Sequence, residues 1–246
     1  MMVNKFRIFP TLTILDGALV KTQGYKNPRY LGDPINAIKL FNNKDIDEIC
    51  ILDISSNYNK RNFSINSKLL EEMASEAFIP LSYGGNILSL SNAQHIISLG
   101  FEKVIVNSLF HTNFDEVTKI TRELGSQSVV LKIDYCFKND RAFYYYNGGA
   151  FNQINIEMLL TRILESQVGE IILSRIDNDG LMNGFDLEFP RQILNKLTIP
   201  LVLSHGARNK QSIEKALEKG FLNFTASSMF VFIGNLKAVL INNPLL

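Results

Sequence analysis

Two sets of residues in this sequence are candidates for chemistry. The first stands where short apolar runs end. Asp134 closes Leu131-Lys132-Ile133-Asp134, Asp53 follows Cys50-Ile51-Leu52, and Asp177 and Asp179 lie within Ile176-Asp177-Asn178-Asp179-Gly180. A carboxylate at a strand end is placed to exchange a proton with a bound small molecule. The Asp177–Gly180 stretch reads equally as a functional pair or as an ordinary Asx turn. Lys21, in a polar stretch after the first run, is either a charge that reaches an anionic ligand or a solvated loop lysine. Small residues share these ends: Gly84 and Gly85 in Tyr83-Gly84-Gly85-Asn86, Asn107-Ser108, Gly206 in Ser204-His205-Gly206-Ala207, and Ser227-Ser228 after Ala226. Without a Cβ the backbone can approach a phosphate closely, and amides at helix starts favour an anion. The alternative is that these glycines only make tight turns.

The second set stands at the opposite ends of the same runs. Arg7, Glu48, Lys103 and Glu170 each begin one. Four charges of alternating sign entering one floor can neutralise each other, as a structural plug or as something more.

Elements that could hold these two sets apart follow from the pattern. Apolar runs at Lys5–Leu12, Glu48–Ile54, Ile79–Tyr83, Lys103–Asn107, Ser128–Asp134, Glu170–Ser174, Ile199–Ser204 and Leu222–Ala226 read as strands. Stretches of helical period lie between them, at Asp33–Asn43, Ile65–Ala77, Asn113–Leu124, Asn155–Gln167 and Lys210–Lys219. Strand and helix in alternation predict a parallel sheet, and near-continuous apolar strands are those buried on both faces. Eight such units in 246 residues close most simply into one (β/α)8 barrel, whose sites sit at the strand C-termini. Two stretches interrupt the rhythm. Asp16–Gly32 is polar and reads as a mobile loop over the mouth. Residues 137–151, with Asn147-Gly148-Gly149 after an aromatic run, read as an inserted hairpin.

An internal repeat supports the barrel. Ile79-Pro80-Leu81 recurs as Ile199-Pro200-Leu201, 120 residues on. At the same spacing Gly100-Phe101 matches Gly220-Phe221, Ser108 matches Ser228, and Phe110 matches Phe230. Two half-barrels are implied, each with its own glycine-bearing mouth. Two phosphate sites facing each other suit an elongated ligand with a phosphate at each end.

Composition narrows the function classes. Twenty-five basic against 24 acidic residues argue against a nucleic-acid or anionic-membrane partner. No apolar run approaches a membrane span, and the N-terminus has no long apolar region, so the cytoplasm is the expected compartment. Cys50 and Cys136 form no CxxC pattern or disulfide framework, and His95, His111 and His205 have no ligand spacing. No metal or cofactor is expected.

Over nearly its whole length the sequence resembles the cyclase subunit of imidazole glycerol phosphate synthase, a histidine-biosynthesis barrel. The resemblance is carried by Ile8-Phe9-Pro10, Asp16-Gly17, Val20-Lys21, Gly32-Asp33-Pro34, Asp47-Glu48, Leu52-Asp53-Ile54, Gly125-Ser126-Gln127, Ile133-Asp134, Ile176-Asp177-Asn178-Asp179-Gly180 and Gly184-Phe185-Asp186. It implies a glutaminase partner docked on the N-terminal barrel face and ammonia passing along the barrel axis. The family's gate residues fall on Arg7, Glu48, Lys103 and Glu170, its loop lysine on Lys21, and one of its two catalytic aspartates on Asp134. The implied reaction is a lyase-type cyclisation of a bisphosphorylated ribulosyl aminoimidazole carboxamide. Its products are imidazole glycerol phosphate and an aminoimidazole carboxamide ribotide.

Three departures stand beside that match. Thr11-Leu12-Thr13 places Thr13 where the family has its other catalytic aspartate. A hydroxyl is no general base near neutral pH without a neighbour to take its proton, and loss of one proton-transfer group removes about 10²–10⁴-fold in rate. The family's glycine run after the third strand is Gly84-Gly85-Asn86 here, and its glycine pair after the seventh is His205-Gly206. His205 brings either a new acid–base group or a local hydrogen bond. This combination is similar to a divergent branch of the family found with surface-polysaccharide genes. That branch implies ammonia delivery to an ATP-dependent enzyme that converts an acetamido to an acetamidino sugar, with the barrel acting as a subunit of a glutamine amidotransferase complex.

Overall fold

Runs rich in Ile, Val and Leu, bounded by Gly, Pro and Asn, form the strands. The computed structural model describes residues 6–55, 64–234 and 236–245. Strand β1 (Arg7–Leu15) leads into β2 (Ala18–Gln23) and β3 (Lys26–Gly32). Strands β4 (Ile49–Asp53), β5 (Leu81–Gly84), β6 (Lys103–Val106) and β7 (Val129–Lys138) follow. After β8 (Arg141–Tyr146) and β9 (Gly149–Gln153) come β10 (Glu170–Arg175), β11 (Leu201–Ser204) and β12 (Asn223–Ala226). Eight of these pair in parallel in the order β1, β4, β5, β6, β7, β10, β11, β12, and β12 returns to β1. These eight strands form a closed (β/α)8 barrel.

Helices cover the outside. Those at Pro34–Phe41, Ser67–Glu76, Leu90–Ser98, Phe114–Leu124, Ile156–Ser166 and Lys210–Glu218 start on Asp33, Asn66, Ser89, Asn113, Asn155 and Asn209. In each, the capping side chain accepts a hydrogen bond from an amide of the first turn, which satisfies a donor the helix cannot. Each helix turns one apolar stripe to the sheet, as Leu159 and Ile163 do. Along the strands, side chains alternate between that outer core and the barrel interior. Phe9, Cys50, Ile105, Val130, Ile172 and Val202, all 3 % exposed or less, pack together inside the barrel.

The two halves correspond in sequence and in structure. The helices Leu90–Ser98 and Lys210–Glu218, the strand pairs β5/β6 and β11/β12, and the short helices starting at Ser108 and Ser228 all recur at the spacing of 120 residues. Phe110 and Phe230 are both fully buried.

Two expectations change. The polar stretch Asp16–Gly32 is not a loop. It folds into the antiparallel strands β2 and β3, with β2 laid against the end of β1. Its ladder is made by backbone groups, so Lys26–Gly32, mostly exposed and carrying a proline, has no apolar alternation to betray it. Strand β1 also runs three residues past Leu12, to Leu15, because β2 pairs with that extension. Strand β7 runs on to Lys138 and continues through β8 into β9 as an antiparallel ribbon. Its turns place Asn139, Asp140, Asn147 and Gly148 at φ of 48°, 59°, 48° and 78°, as tight hairpin turns require.

Candidate functional site

The C-terminal mouth of the barrel holds a cavity of about 450 Å3. Inward-facing residues of the strands form its base, among them Thr11 and Thr13 of β1, Leu52 of β4, Gly84 of β5, and Lys132 and Asp134 of β7, with Asp53 at the edge of the lining. Gly85, Asn107, Ser108, Asp179, His205 and Ser227 form its shoulders, and two ribbon tips, Tyr25–Lys26 and Tyr145–Gly148, form its rim. Most of the site residues expected from sequence therefore converge on one space.

Asp134 sits at the base and is tightly held. Its Oδ1 accepts from Tyr25 Oη at 2.8 Å and forms an ion pair with Lys132, while Asn107 Nδ2 donates to its Oδ2 at 2.8 Å. Lys132 Nζ also donates to Tyr25 Oη at 2.9 Å. Lys132 is only 5 % exposed, inside the barrel two residues before Asp134. Burial, with Asp134 next to it, drives the Tyr25 phenol well above its ordinary pKa, so it stays a hydrogen-bond donor. Sequence reasoning missed both Lys132 and Tyr25. The signal for Lys132 was its two-residue spacing from Asp134, which places both on one strand face. Nothing local marked Tyr25, which reaches the site from the turn between β2 and β3.

The pair Asp177 and Asp179 divides. Asp179 is 1 % exposed and accepts from Lys21 Nζ at 2.5 Å, Thr22 Oγ1 at 2.8 Å and the Tyr25 amide at 3.2 Å. Burial pushes its carboxyl up, but His205, Lys21 and the Thr22 hydroxyl outweigh this and hold it below the ordinary carboxylate value. Burial in turn lowers the pKa of His205 to about 4. Asp177 lies outside the cavity. It accepts from the Phe137 amide at 3.0 Å and faces Arg175, so it joins the turn after β10 to the ribbon. Lys21 is a buried partner of Asp179 and not a solvated loop lysine.

Beside the main cavity lies a cleft of about 10 Å3 lined by Gly180, His205, Gly206, Ser227 and Ser228, with Lys21 and Asp179. Gly206, at φ 97°, packs so closely on Gly184 that an added Cβ would lie 2.0 Å from the Gly184 carbonyl oxygen. At Gly180, φ 74°, it would lie 2.8 Å from the Thr22 carbonyl oxygen. These two glycines are required by the protein's own backbone. Thr13, 8 % exposed, lies on the cavity wall beside Val20 of β2 and Leu52 of β4. Asp53 is held by the Ser55 amide at 2.9 Å and Tyr83 Oη at 3.3 Å, and burial raises its pKa above the ordinary value despite these bonds.

The four floor charges form a closed ring. Arg7 pairs with Glu170 and, at 3.5 Å, with Glu48; Lys103 pairs with Glu48 at 2.7 Å and with Glu170 at 3.2 Å. Each cation touches both glutamates. Directly inward of the ring lies the apolar layer of Phe9, Cys50, Ile105, Val130, Ile172 and Val202. Further in come hydroxyls, with Thr11 Oγ1 and Thr225 Oγ1 2.6 Å apart. Burial of Cys50 pushes its thiol up to about 12, so it is an inert wall residue.

Among the described residues no group of three or more His, Cys, Asp or Glu is placed to hold a metal, and no helix is long and apolar enough to cross a membrane.

The comparisons with known proteins agree with the barrel fold. The family model described as "Histidine biosynthesis protein" matches residues 7–236. A protein of Leptospira interrogans, named as a candidate imidazole glycerol phosphate synthase subunit HisF, is 40 % identical over 98 % of this chain and 95 % of its own length. A Pseudomonas aeruginosa protein of similar designation is 37 % identical over 97 % and 95 %. The imidazole glycerol phosphate synthase subunit HisF of Alkaliphilus metalliredigens is 31 % identical over 89 % and 86 %.

Proposed function

The chain belongs to the family of histidine biosynthesis proteins, and from that membership we propose that it is a cyclase-subunit-like barrel of the imidazole glycerol phosphate synthase type. It takes ammonia from a glutaminase docked on the N-terminal barrel face. It passes the ammonia along its axis for amidination of an acetamido sugar in surface-polysaccharide biosynthesis. The observation that carries this reading is the closed ring Arg7–Glu48–Lys103–Glu170 beneath a buried apolar layer.

The ring has the properties of a gate. Because Arg7 pairs with both glutamates, it still bridges them when Lys103 swings aside. Neutral ammonia then crosses the apolar layer, whereas ammonium would lose its hydration there at a cost of several kcal/mol. Beyond that layer Thr11 and Thr225 offer hydrogen bonds to the incoming molecule. The ring's outer face suits a partner. Phe78, 85 % exposed, and Leu222, 39 % exposed, lead into β5 and β12 on the same side.

The mouth supports ligand binding more than cyclase chemistry. Gly84, Gly85, Asn107 and Ser108 form an open shoulder where a phosphate can sit. Asp134 alone stands at the base as a candidate acid–base group, already paired to Lys132, and Thr13 supplies no second carboxylate. A second reading, a true histidine-biosynthesis cyclase, is favoured by the presence of Asp134 in a cavity of ligand size.

One assay separates the two. Purified protein is mixed with the bisphosphorylated aminoimidazole carboxamide substrate and free ammonium salt, and the substrate's absorbance is followed. The expected result is no turnover by folded protein, with glutamine-dependent ammonia transfer only when the glutaminase and the amidating enzyme are added. Turnover in the ordinary enzyme range of about 1–10³ s⁻¹ would establish the cyclase instead.

A further inference from the structure

The geometry points to a mouth built for a ligand with one phosphate at the Gly84–Ser108 end and an uncharged polar group at the His205 end, such as a sugar monophosphate. This deepens the reading of that shoulder as a phosphate seat and rests on it. It does not depend on ammonia transfer.

The two ends of the mouth are copies of one backbone design. Gly84-Gly85-Asn86 and Ser204-His205-Gly206 stand 120 residues apart. Positive φ recurs at matched positions, 158° and 51° at Gly85 and Asn86 against 71° and 97° at His205 and Gly206. Their contents differ. At the first end the space above the glycines is part of the 450 Å3 cavity. At the second, His205 lines that same cavity, and the cleft behind it, against Gly180, Gly206, Ser227 and Ser228, keeps only about 10 Å3. That is room for one water at most and not for a phosphate.

Charge points the same way. The cavity lining contains three lysines, Lys21, Lys26 and Lys132, and three aspartates, Asp53, Asp134 and Asp179. Two of the lysines are already in ion pairs, Lys21 with Asp179 and Lys132 with Asp134. Only the exposed Lys26 is in no ion pair among the described residues. A phosphate monoester carries about −1.5 to −2 near pH 7, so two would bring about −3 to −4 against this one cation. A second phosphate at the His205 end would also face the Asp179 carboxylate, and like charges at such range repel strongly in a poorly hydrated site.

The His205 end is instead suited to a neutral group. Ser204, His205 and Ser227 line that end of the main cavity. There a hydroxyl or amide of a ligand meets two hydroxyls and an imidazole that burial keeps neutral.

Isothermal titration with inorganic phosphate, ribose 5-phosphate and ribulose 1,5-bisphosphate tests this on the full chain. Wild type is expected to bind one phosphate per chain, lost in Ser108→Glu, and to bind the two sugar phosphates within about threefold of each other. His205→Gly is expected to bind two phosphates and to prefer the bisphosphate by about tenfold or more, the worth of a charge-assisted hydrogen bond. Because His205→Gly also adds a flexible residue, its fold is checked by thermal unfolding, and Ser108→Glu/His205→Gly should regain a single site. Two phosphates per wild-type chain, or a tenfold preference of wild type for the bisphosphate, would overturn the inference. Absence of any phosphate binding by wild type would overturn it together with the phosphate reading of the shoulder, while leaving ammonia transfer untouched.

Discussion

The floor and the mouth of this barrel treat the two half-barrels differently. On the floor three ring members, Arg7, Glu48 and Lys103, come from the first half and Glu170 from the other, but the two glutamates are matched: Glu48 leads into the second strand of the first half, Glu170 begins the second strand of the other, and each takes both cations. At the mouth the matched positions have diverged. Gly85 stands against His205, Asn107 against Ser227, and Thr13 on the first strand of one half against Asp134 on the first strand of the other. An ion ring works only as a whole, since losing one member leaves buried charge uncompensated. A ligand mouth has no such constraint, because each end meets a different part of the ligand.

The contrast between the two ends of the mouth is tested most severely at Gly206. Its φ of 97° and the 2.0 Å separation between an added Cβ and the Gly184 oxygen leave no room for alanine. Gly206→Ala should cost about 3–5 kcal/mol in urea unfolding, through strain and a forced backbone shift. The matched Asn86 already carries a side chain at φ 51°, so Asn86→Gly should stay within about 1 kcal/mol. Equal effects at both positions would mean that the two ends are not held differently.

Next in size is an acid limb carried by one mostly buried histidine in each half. Burial lowers both His205 and His111 to about 4. An unfolded histidine takes up its proton near 6.5, so between these values the unfolded chain binds more protons. Stability from each is then fully present above about pH 6.5 and is lost as pH falls toward 4, by about 3 kcal/mol per histidine. His205→Gln should remove about half of that slope, read from urea midpoints at a series of pH values. An unchanged slope would show that His205 is not held neutral.

Smaller again is the floor. Glu48→Gln and Glu170→Gln should each cost about 1–3 kcal/mol, between the values for exposed and buried pairs, and should match within error if the ring is symmetric. A cost confined to one glutamate would make the ring a chain of separate pairs. The smallest stability change is expected at the cavity wall. Thr13→Asp should alter unfolding by no more than about 1 kcal/mol and leave partner-dependent ammonia transfer intact. Loss of transfer would place Thr13 on the ammonia path.

The ring was legible before folding because its members begin strands whose order the alternation of apolar runs already implied. The contents of the cavity were legible only in part. Asp134, Gly84 and Ser108 sit at strand ends, where a barrel must present them. Asp177 and Asp179 are two residues apart in a short turn, and no local pattern said which would face inward. The three-residue helical turn Ile176–Asn178 sends Asp179 to Lys21 and Asp177 to the outside. Asp16–Gly32 reads as a loop in sequence because backbone pairing, which leaves no mark on side-chain pattern, makes it a ribbon.

The barrel, its two-fold repeat, the charged floor and the departures at Thr13 and His205 can all be read from the chain before it folds, because each is written in periodicity, in spacing or in residue type at one position. That Lys132 and Tyr25 converge on Asp134, that Lys21 is buried against Asp179, and that His205 lies between the main cavity and the cleft at Gly206 emerges only in three dimensions. Those contacts join residues as much as 158 positions apart, and short-range forces of a few ångströms act between them only after the barrel has closed.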